Sequence, residues 1–180
     1  MSALASKTRR KCFISYHHAD EAEVQQFIQT FDHAGDVLIA RGIGASMSGD
    51  IIDSTNSDYI KSRIRAEYLR DTTVTIVLVG KETWGRKFVD WEIGASLRNT
   101  ATASASGLLG ITLPSAASHI GKKLPARLAD NVHGEDGYAR WWKYPTSTQG
   151  LANLIEIAYS ARTAKADLRN NTRPLRMRNA

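Results

Sequence analysis

The sequence predicts an open α/β sheet of mainly parallel strands with helices on both faces. Three observations predict it. Strand-like runs alternate with amphipathic helical stripes, which is the pattern of strand–helix–strand crossovers. The most apolar strand, Val74 to Val79, is β-branched and nearly continuous, as a parallel strand buried on both faces is. The chain has 180 residues, enough for one full core.

The elements follow in order. Lys11 to Tyr16 reads as a first strand. Asp20 and Glu23 have capping-box spacing, and Val24, Phe27, Ile28 and Phe31 then fall on one helical stripe. Ala34-Gly35 closes that helix, and Asp36 to Ala40 is a second strand. Arg41 to Ser57 is rich in Gly, Ser and Asp and reads as a long loop with a helical turn near Ile51-Ile52. Tyr59, Ile60, Ile64 and Tyr68 mark the next helix, Thr72 to Gly80 the central strand, and Lys87 to Asn99 the helix after it. A small-residue linker, Ala101 to Ser106, leads to a strand at Leu108 to Leu113 stopped by Pro114. Residues 115–139 are irregular, with a turn at Pro125. Tyr138 to Tyr144 forms a short last strand whose Trp141 and Trp142 cover the sheet edge. Leu151, Leu154, Ile155 and Ala158 give a final helix reaching Ala164. This order is flavodoxin-like in the broad sense. Neither GxGxxG nor GxxxxGK[ST] is present, which removes the dinucleotide fingerprint and the P-loop, and Gly42-x-Gly44 is too short to stand for either.

The net charge of +6 lies at the ends. Lys7, Arg9, Arg10 and Lys11 crowd the start, six basic residues and one acid occupy 161–180, and the body between is slightly acidic. The expected organisation is a flexible basic segment at 1–10, one domain over 11–164, and a basic, disordered tail at 165–180. A tail of this kind also raises a nucleic-acid-binding alternative, which the acidic body does not favour. No run approaches the ~20 apolar residues of a membrane span, and no signal-peptide segment follows the basic start. The lone Cys12 cannot form an internal disulfide, so a reducing, cytoplasmic setting is expected. His17 and His18 are adjacent and lack further ligands at metal spacing, so no metal site is expected.

The stretch Thr83-Trp84-Gly85-Arg86-Lys87-Phe88-Val89-Asp90-Trp91-Glu92-Ile93 follows the central strand directly. Ligands of open α/β sheets bind beyond the carboxyl ends of strands, where such a loop lies. Glu92 is therefore either a surface charge or the working acid of a cleft. Two phrases carry a resemblance. Cys12-Phe13-Ile14-Ser15-Tyr16-His17 resembles the opening box of TIR domains, and Thr83 to Ile93 resembles the T-W-x-R-x-W/F-V-x-x-E-I phrase of a TIR-like branch. That branch includes the TIR-like proteins of the Thoeris anti-phage defence system. The resemblance spans roughly Lys11 to Leu113.

The resemblance implies an enzyme that breaks the nicotinamide–ribose bond of NAD and makes a cyclic ADP-ribose isomer. That product is a diffusible second messenger that activates a partner effector. NAD is then a substrate, and no cofactor is implied. The family's catalytic glutamate maps onto Glu92 and its first-strand pocket onto Phe13, Ser15 and His17. Trp84 is a candidate for stacking a base, and Asp50, with Asp53, is a candidate in the loop that corresponds to the gating and assembly loop of TIR domains. Self-association through TIR surfaces is implied as well. Two alternatives share the fold: a TIR-like interaction module without catalysis, and an enzyme resembling nucleoside deoxyribosyltransferases, which also places a glutamate after a central strand.

Overall fold

A computed structural model describes residues 8–43, 47–100, 104–119 and 123–180. Five strands form one sheet in the order β2-β1-β3-β4-β5, and every pairing is parallel. They are β1 (Arg10–Ser15), β2 (Leu38–Arg41), β3 (Val74–Val79), β4 (Gly107–Thr112) and β5 (Arg140–Trp142). The helices are α1 (Glu21–Ile28), α2 (Gly49–Ile52), α3 (Ser57–Glu67), α4 (Lys87–Ser96), α5 (Ala126–Ala129) and α6 (Thr148–Ala164). This is the expected α/β, flavodoxin-like open sheet. The chain moves outward from β1 to β2, then returns to β3 on the other side of β1. The crevice between β1 and β3 is thus the topological switch point, where ligands of such sheets bind.

Strand alternation divides the core between the two faces. Cys12, Ile14, Ile76, Leu78, Leu109 and Ile111 pack under α1 and α6 against Phe27, Phe31, Leu151 and Ile155. On the other face, Phe13 packs with Ile60, Ile64 and Trp91, while Val77 and Leu108 meet Val89, Ile93 and Leu128. The α4 helix is buried along most of its length because both β3 and α3 press on it.

Three expectations are corrected. Asp20 precedes α1 but its side chain makes no cap bond. Its carboxylate turns instead to Gly80, where an added Cβ would lie 2.1 Å from Oδ2 and would displace it. The first helix closes at Ala34-Gly35 as expected, its last part widening into a π-helical turn over Gln29–Ala34. Residues 8–10 are fixed rather than flexible: Arg9 Nη2 donates to Asp32 Oδ1 at 2.8 Å, and Arg10, which opens β1, donates through Nε to Glu156 Oε1 at 2.9 Å. Residues 1–7 lie outside the described residues, as do 101–103 of the small-residue linker.

The largest correction concerns the tail. Residues 165–180 do not stand free; they run as a strap along α4. Leu175 is 7% exposed and joins the cluster of Phe13, Ile64 and Trp91. Trp91 Nε1 donates to the Arg176 carbonyl at 2.7 Å, and Asn171 Nδ2 donates to the Gly94 carbonyl at 3.0 Å. One buried leucine and a series of main-chain bonds outweigh the tail's charge, which stays on the outer side.

Candidate functional site

Beyond the carboxyl end of β1, between the segment after β2 and the helix that follows β3, lies a cavity of about 250 Å3. Its walls are largely apolar, from Phe13, Met47, Tyr68, Phe88 and Val89. Phe88, Val89 and Glu92 stand at i, i+1 and i+4 of α4, so one helix face delivers all three. Among the described residues lining the cavity, Glu92 is the one carboxylate. Its counterpart from β1 is Ser15, which is fully buried behind it and donates through Oγ to Glu92 Oε1 at 3.0 Å.

The Glu92 residue keeps partial contact with the cavity, yet protein atoms surround its carboxyl on nearly all sides. Burial pushes its pKa up to about 8, against the opposing pull of the Ser15 hydrogen bond. A carboxyl in this condition is poised near neutrality, as general acids, general bases and charge-stabilising groups in clefts are. The helix that holds it is itself held from below. Ser96 Oγ donates to the Glu92 carbonyl at 2.8 Å and shares a 2.7 Å hydrogen bond with Thr75 Oγ1 on β3.

His17 and His18 stand at the mouth after β1, and Arg86 precedes α4 on the opposite lip. Burial, then Arg86 and His18, lower the pKa of His17, with Glu82 opposing at 3.6 Å. His17 is therefore neutral at physiological pH and offers both a donor and an acceptor. The strap reaches the same mouth: Asn179 lines the cavity, and its Oδ1 accepts from the Lys87 backbone N–H at 2.9 Å. Arg86, at the N-cap of α4, makes no side-chain cap bond, so Asn179 supplies that function from a distant part of the chain.

The structure brings together Glu92, Ser15, Phe13 and His17. It does not bring in the other candidates, Trp84, Asp50 and Asp53, none of which lines the cavity. Trp84 sits half-buried in the turn Thr83–Gly85, faces Lys123 Nζ at 4.5 Å, and borders a separate depression with Pro125 and Arg173. Asp50 accepts from Tyr59 Oη at 2.6 Å and lies 3.5 Å from Arg63, away from the cavity wall. Trp91, the apolar neighbour of Glu92 in sequence, points the other way into the core. Three contributors escaped sequence reading. Asn179 lay in a segment read as disordered. Arg86 stood inside the motif without a role of its own. Gly42 was passed over as half of a failed fingerprint; it has φ +86°, and an added Cβ would meet Phe13 Cε2 at 2.4 Å, so it clears space for the ring that lines the cavity.

A parallel 2-1-3-4-5 sheet with a glutamate on the helix after its central strand, aimed at the switch point, defines a TIR-like α/β protein. Residues 13–118 match the model of a family described as Thoeris protein ThsB, TIR-like domain, and the chain belongs to that family. It is therefore a TIR-like defence protein of the Thoeris type. No curated protein matches the chain. No helix among the described residues is long and apolar enough to cross a membrane.

Proposed function

We propose that this chain cleaves the bond between nicotinamide and ribose in NAD and closes the remaining ADP-ribose into a cyclic isomer, a diffusible signal that activates a partner effector. The observation that carries this reading is Glu92, a carboxyl set among largely apolar walls at the switch point with, among the described residues, a single hydrogen-bond partner, Ser15. Nicotinamide in NAD is a cationic leaving group. As its bond to the ribose breaks, the electron pair passes to the ring nitrogen and positive charge develops on the sugar, as in glycoside hydrolysis. A carboxylate beside that sugar stabilises the charge, and in a water-poor site such a contact is worth about 3–4 kcal/mol of barrier. An adenine nitrogen or ribose hydroxyl of the same molecule then attacks the sugar carbon in place of water. Phe13 and Phe88 supply the apolar walls that keep water scarce. Arg86 at the mouth is the cation available to the pyrophosphate.

Glu92 acts as its anion, whereas burial favours its neutral form. The cationic pyridinium of NAD reverses that preference, so substrate binding and ionisation of Glu92 assist one another. Two outcomes follow. With NAD, chromatography of nicotinamide and cyclic product gives turnover for the wild type and a loss of roughly 10²–10³-fold for Glu92→Gln. Equal turnover in the variant refutes the assignment. The kcat/KM profile of the wild type rises with pH and levels near about 8, the value of the free acid, while kcat levels at lower pH because bound substrate already favours the carboxylate.

A further inference from the structure

A second depression, of about 740 Å3, opens at the other end of the sheet, before the first residues of β3 and β4. Four arginines border it: Arg65 from α3, Arg70 from the turn after α3, Arg98 after α4, and Arg162 near the end of α6. Asp71 is the one acid on its rim among the described residues. Arg98 is neutralised in part by Asp58, 3.2 Å from its Nη1. Arg65, Arg70 and Arg162 form no ion pair among the described residues.

Helix ends explain part of this. α3, α4 and α6 direct their carbonyl ends this way, where cations are favoured. Arg65 Nη1 donates to the carbonyls of Ala95 and Ser96 at 3.1 and 3.4 Å. Arg162 lies in the last turn of α6 and stacks on Tyr159 at 4.4 Å. These contacts place the arginines one by one but supply no counter-charge for the group. Burial, and then the nearby Arg162, Arg169 and Arg98, push the guanidinium of Arg65 below its usual range, while Tyr138 opposes them. The Nε atoms of Arg65 and Arg162 and the hydroxyl of Thr73 are buried without hydrogen-bond partners. This corner therefore holds clustered positive charge around a concave surface.

We propose that the depression is a binding site for a compact phosphorylated molecule carrying two or more phosphate groups. Arg70 and Arg162 are its principal ligands, Arg65 and Arg98 complete the cationic ring, and Ser62 and Ser104 are within the lining. Guanidinium forks match phosphate oxygens in pairs, and a polyphosphate relieves the mutual repulsion of the arginines. The arginines converge on a hollow rather than spread along a stripe, which favours a small ligand over a nucleic-acid backbone. The site is independent of the NAD reading, because it lies at the opposite end of the sheet from Glu92.

The test titrates the full chain with tripolyphosphate by calorimetry at low and moderate salt. The expected result is saturable one-to-one binding that weakens with salt. Arg70→Ala, at an exposed position, lowers affinity roughly fivefold, and Arg70→Ala with Arg162→Gln lowers it by at least tenfold. Thermal melting of each variant without ligand separates lost affinity from lost fold. Arg178→Ala, exposed on the strap, leaves affinity unchanged. Unsaturable binding overturns the proposal, and so does an equal loss in Arg178→Ala. A loss confined to Arg86→Ala overturns it too, since the probe then sits in the Glu92 cavity. A single-stranded oligonucleotide that binds more tightly than tripolyphosphate, and loses affinity in the Arg70 variant, reassigns the surface to nucleic acid and overturns the small-ligand proposal.

Discussion

Asp90 and Glu92 stand two residues apart on α4, carry the same chemical group, and occupy opposite environments. Asp90 is 6% exposed and is fully engaged. Its Oδ1 accepts from Arg127 Nε at 2.9 Å, and its Oδ2 accepts from Arg127 Nη2 at 3.2 Å and from the Arg176 backbone N–H at 2.7 Å. Arg127 in turn donates to Asn171 Oδ1 and to the Pro174 carbonyl, so this one ion pair ties α4, α5 and the strap together. Glu92 has the Ser15 hydroxyl and, among the described residues, no cation. The helix thus keeps its structural carboxylate compensated on one side and its candidate working carboxylate uncompensated on the other. A buried carboxylate left without a counter-ion costs stability, and on the function proposed above the cationic substrate supplies the missing charge.

The largest expected effect comes from breaking the compensated side. Asp90→Asn leaves Arg127 buried, at 0% exposure, without its carboxylate. Removing one partner of such a pair costs about 3–5 kcal/mol. For a chain of this size that is a fall of roughly 10 °C in melting temperature. Activity is expected to decline with it, because the strap and α4 lose their common anchor. A variant that melts with the wild type shows that the Asp90–Arg127 pair does not hold the strap.

Glu92→Gln has the opposite expectation for stability. In the native state the acid titrates at about 8, above its ordinary value of 4.5, so the folded protein binds a proton that the unfolded chain releases. The native state is therefore favoured by protonation. Stability falls as pH rises from about 4.5 to about 8 and is flat in this respect outside that window. The full effect is a few kcal/mol. Glu92→Gln removes this slope, so the variant gains on the wild type progressively across the window. Denaturant melts of both proteins at pH 5 and pH 8 measure it. A difference that does not change with pH means Glu92 titrates normally and is not the uncompensated acid described here.

Ser15→Ala sharpens the same contrast by a smaller amount. The hydroxyl favours the carboxylate form, and without it the limb of the kcat/KM profile moves to higher pH, by roughly one unit or less. A limb that moves down, or stays, shows that Ser15 acts on Glu92 through position alone.

The uncompensated side of α4 was readable in the sequence, and the compensated side was not. Strand periodicity placed Ser15 at the carboxyl end of β1 and Glu92 on the helix after β3, and parallel topology then brings those two places together. Nothing local links Asp90 to Arg127, which lies 37 residues away in a stretch without period, or to Arg176, which lies 86 residues away. The strap was misread for a related reason. Its composition is that of a solvated tail, and what fixes it is a single leucine plus scattered polar bonds through both its main chain and its side chains, which leave no periodic signature. Trp84 and Asp50 failed as site residues because proximity in sequence to Glu92, or to a gating loop, does not set the direction in which a side chain points.

Asn179 gives the smallest and most discriminating expectation. Its Oδ1 accepts from the Lys87 N–H in the first turn of α4, where Arg86 provides no side-chain cap. Loss of such a cap costs about 1 kcal/mol, which is about 3 °C here. Asn179→Ala is therefore expected to melt slightly earlier. Asn179→Asp keeps the acceptor and places a negative charge at the amino end of the helix, where it is favoured, so it is expected to recover the loss. The two variants separate the structural role from a role at the cavity mouth. If Asn179 serves only α4, then Asn179→Asp restores both stability and KM for NAD. If Asn179 also stands beside the bound substrate, Asn179→Asp restores stability while KM stays raised, because the aspartate has lost the donor and repels the pyrophosphate. Equal stability of all three proteins shows instead that the strap does not cap α4, and the comparison between the two sides of that helix then rests on Asp90 and Arg127 alone.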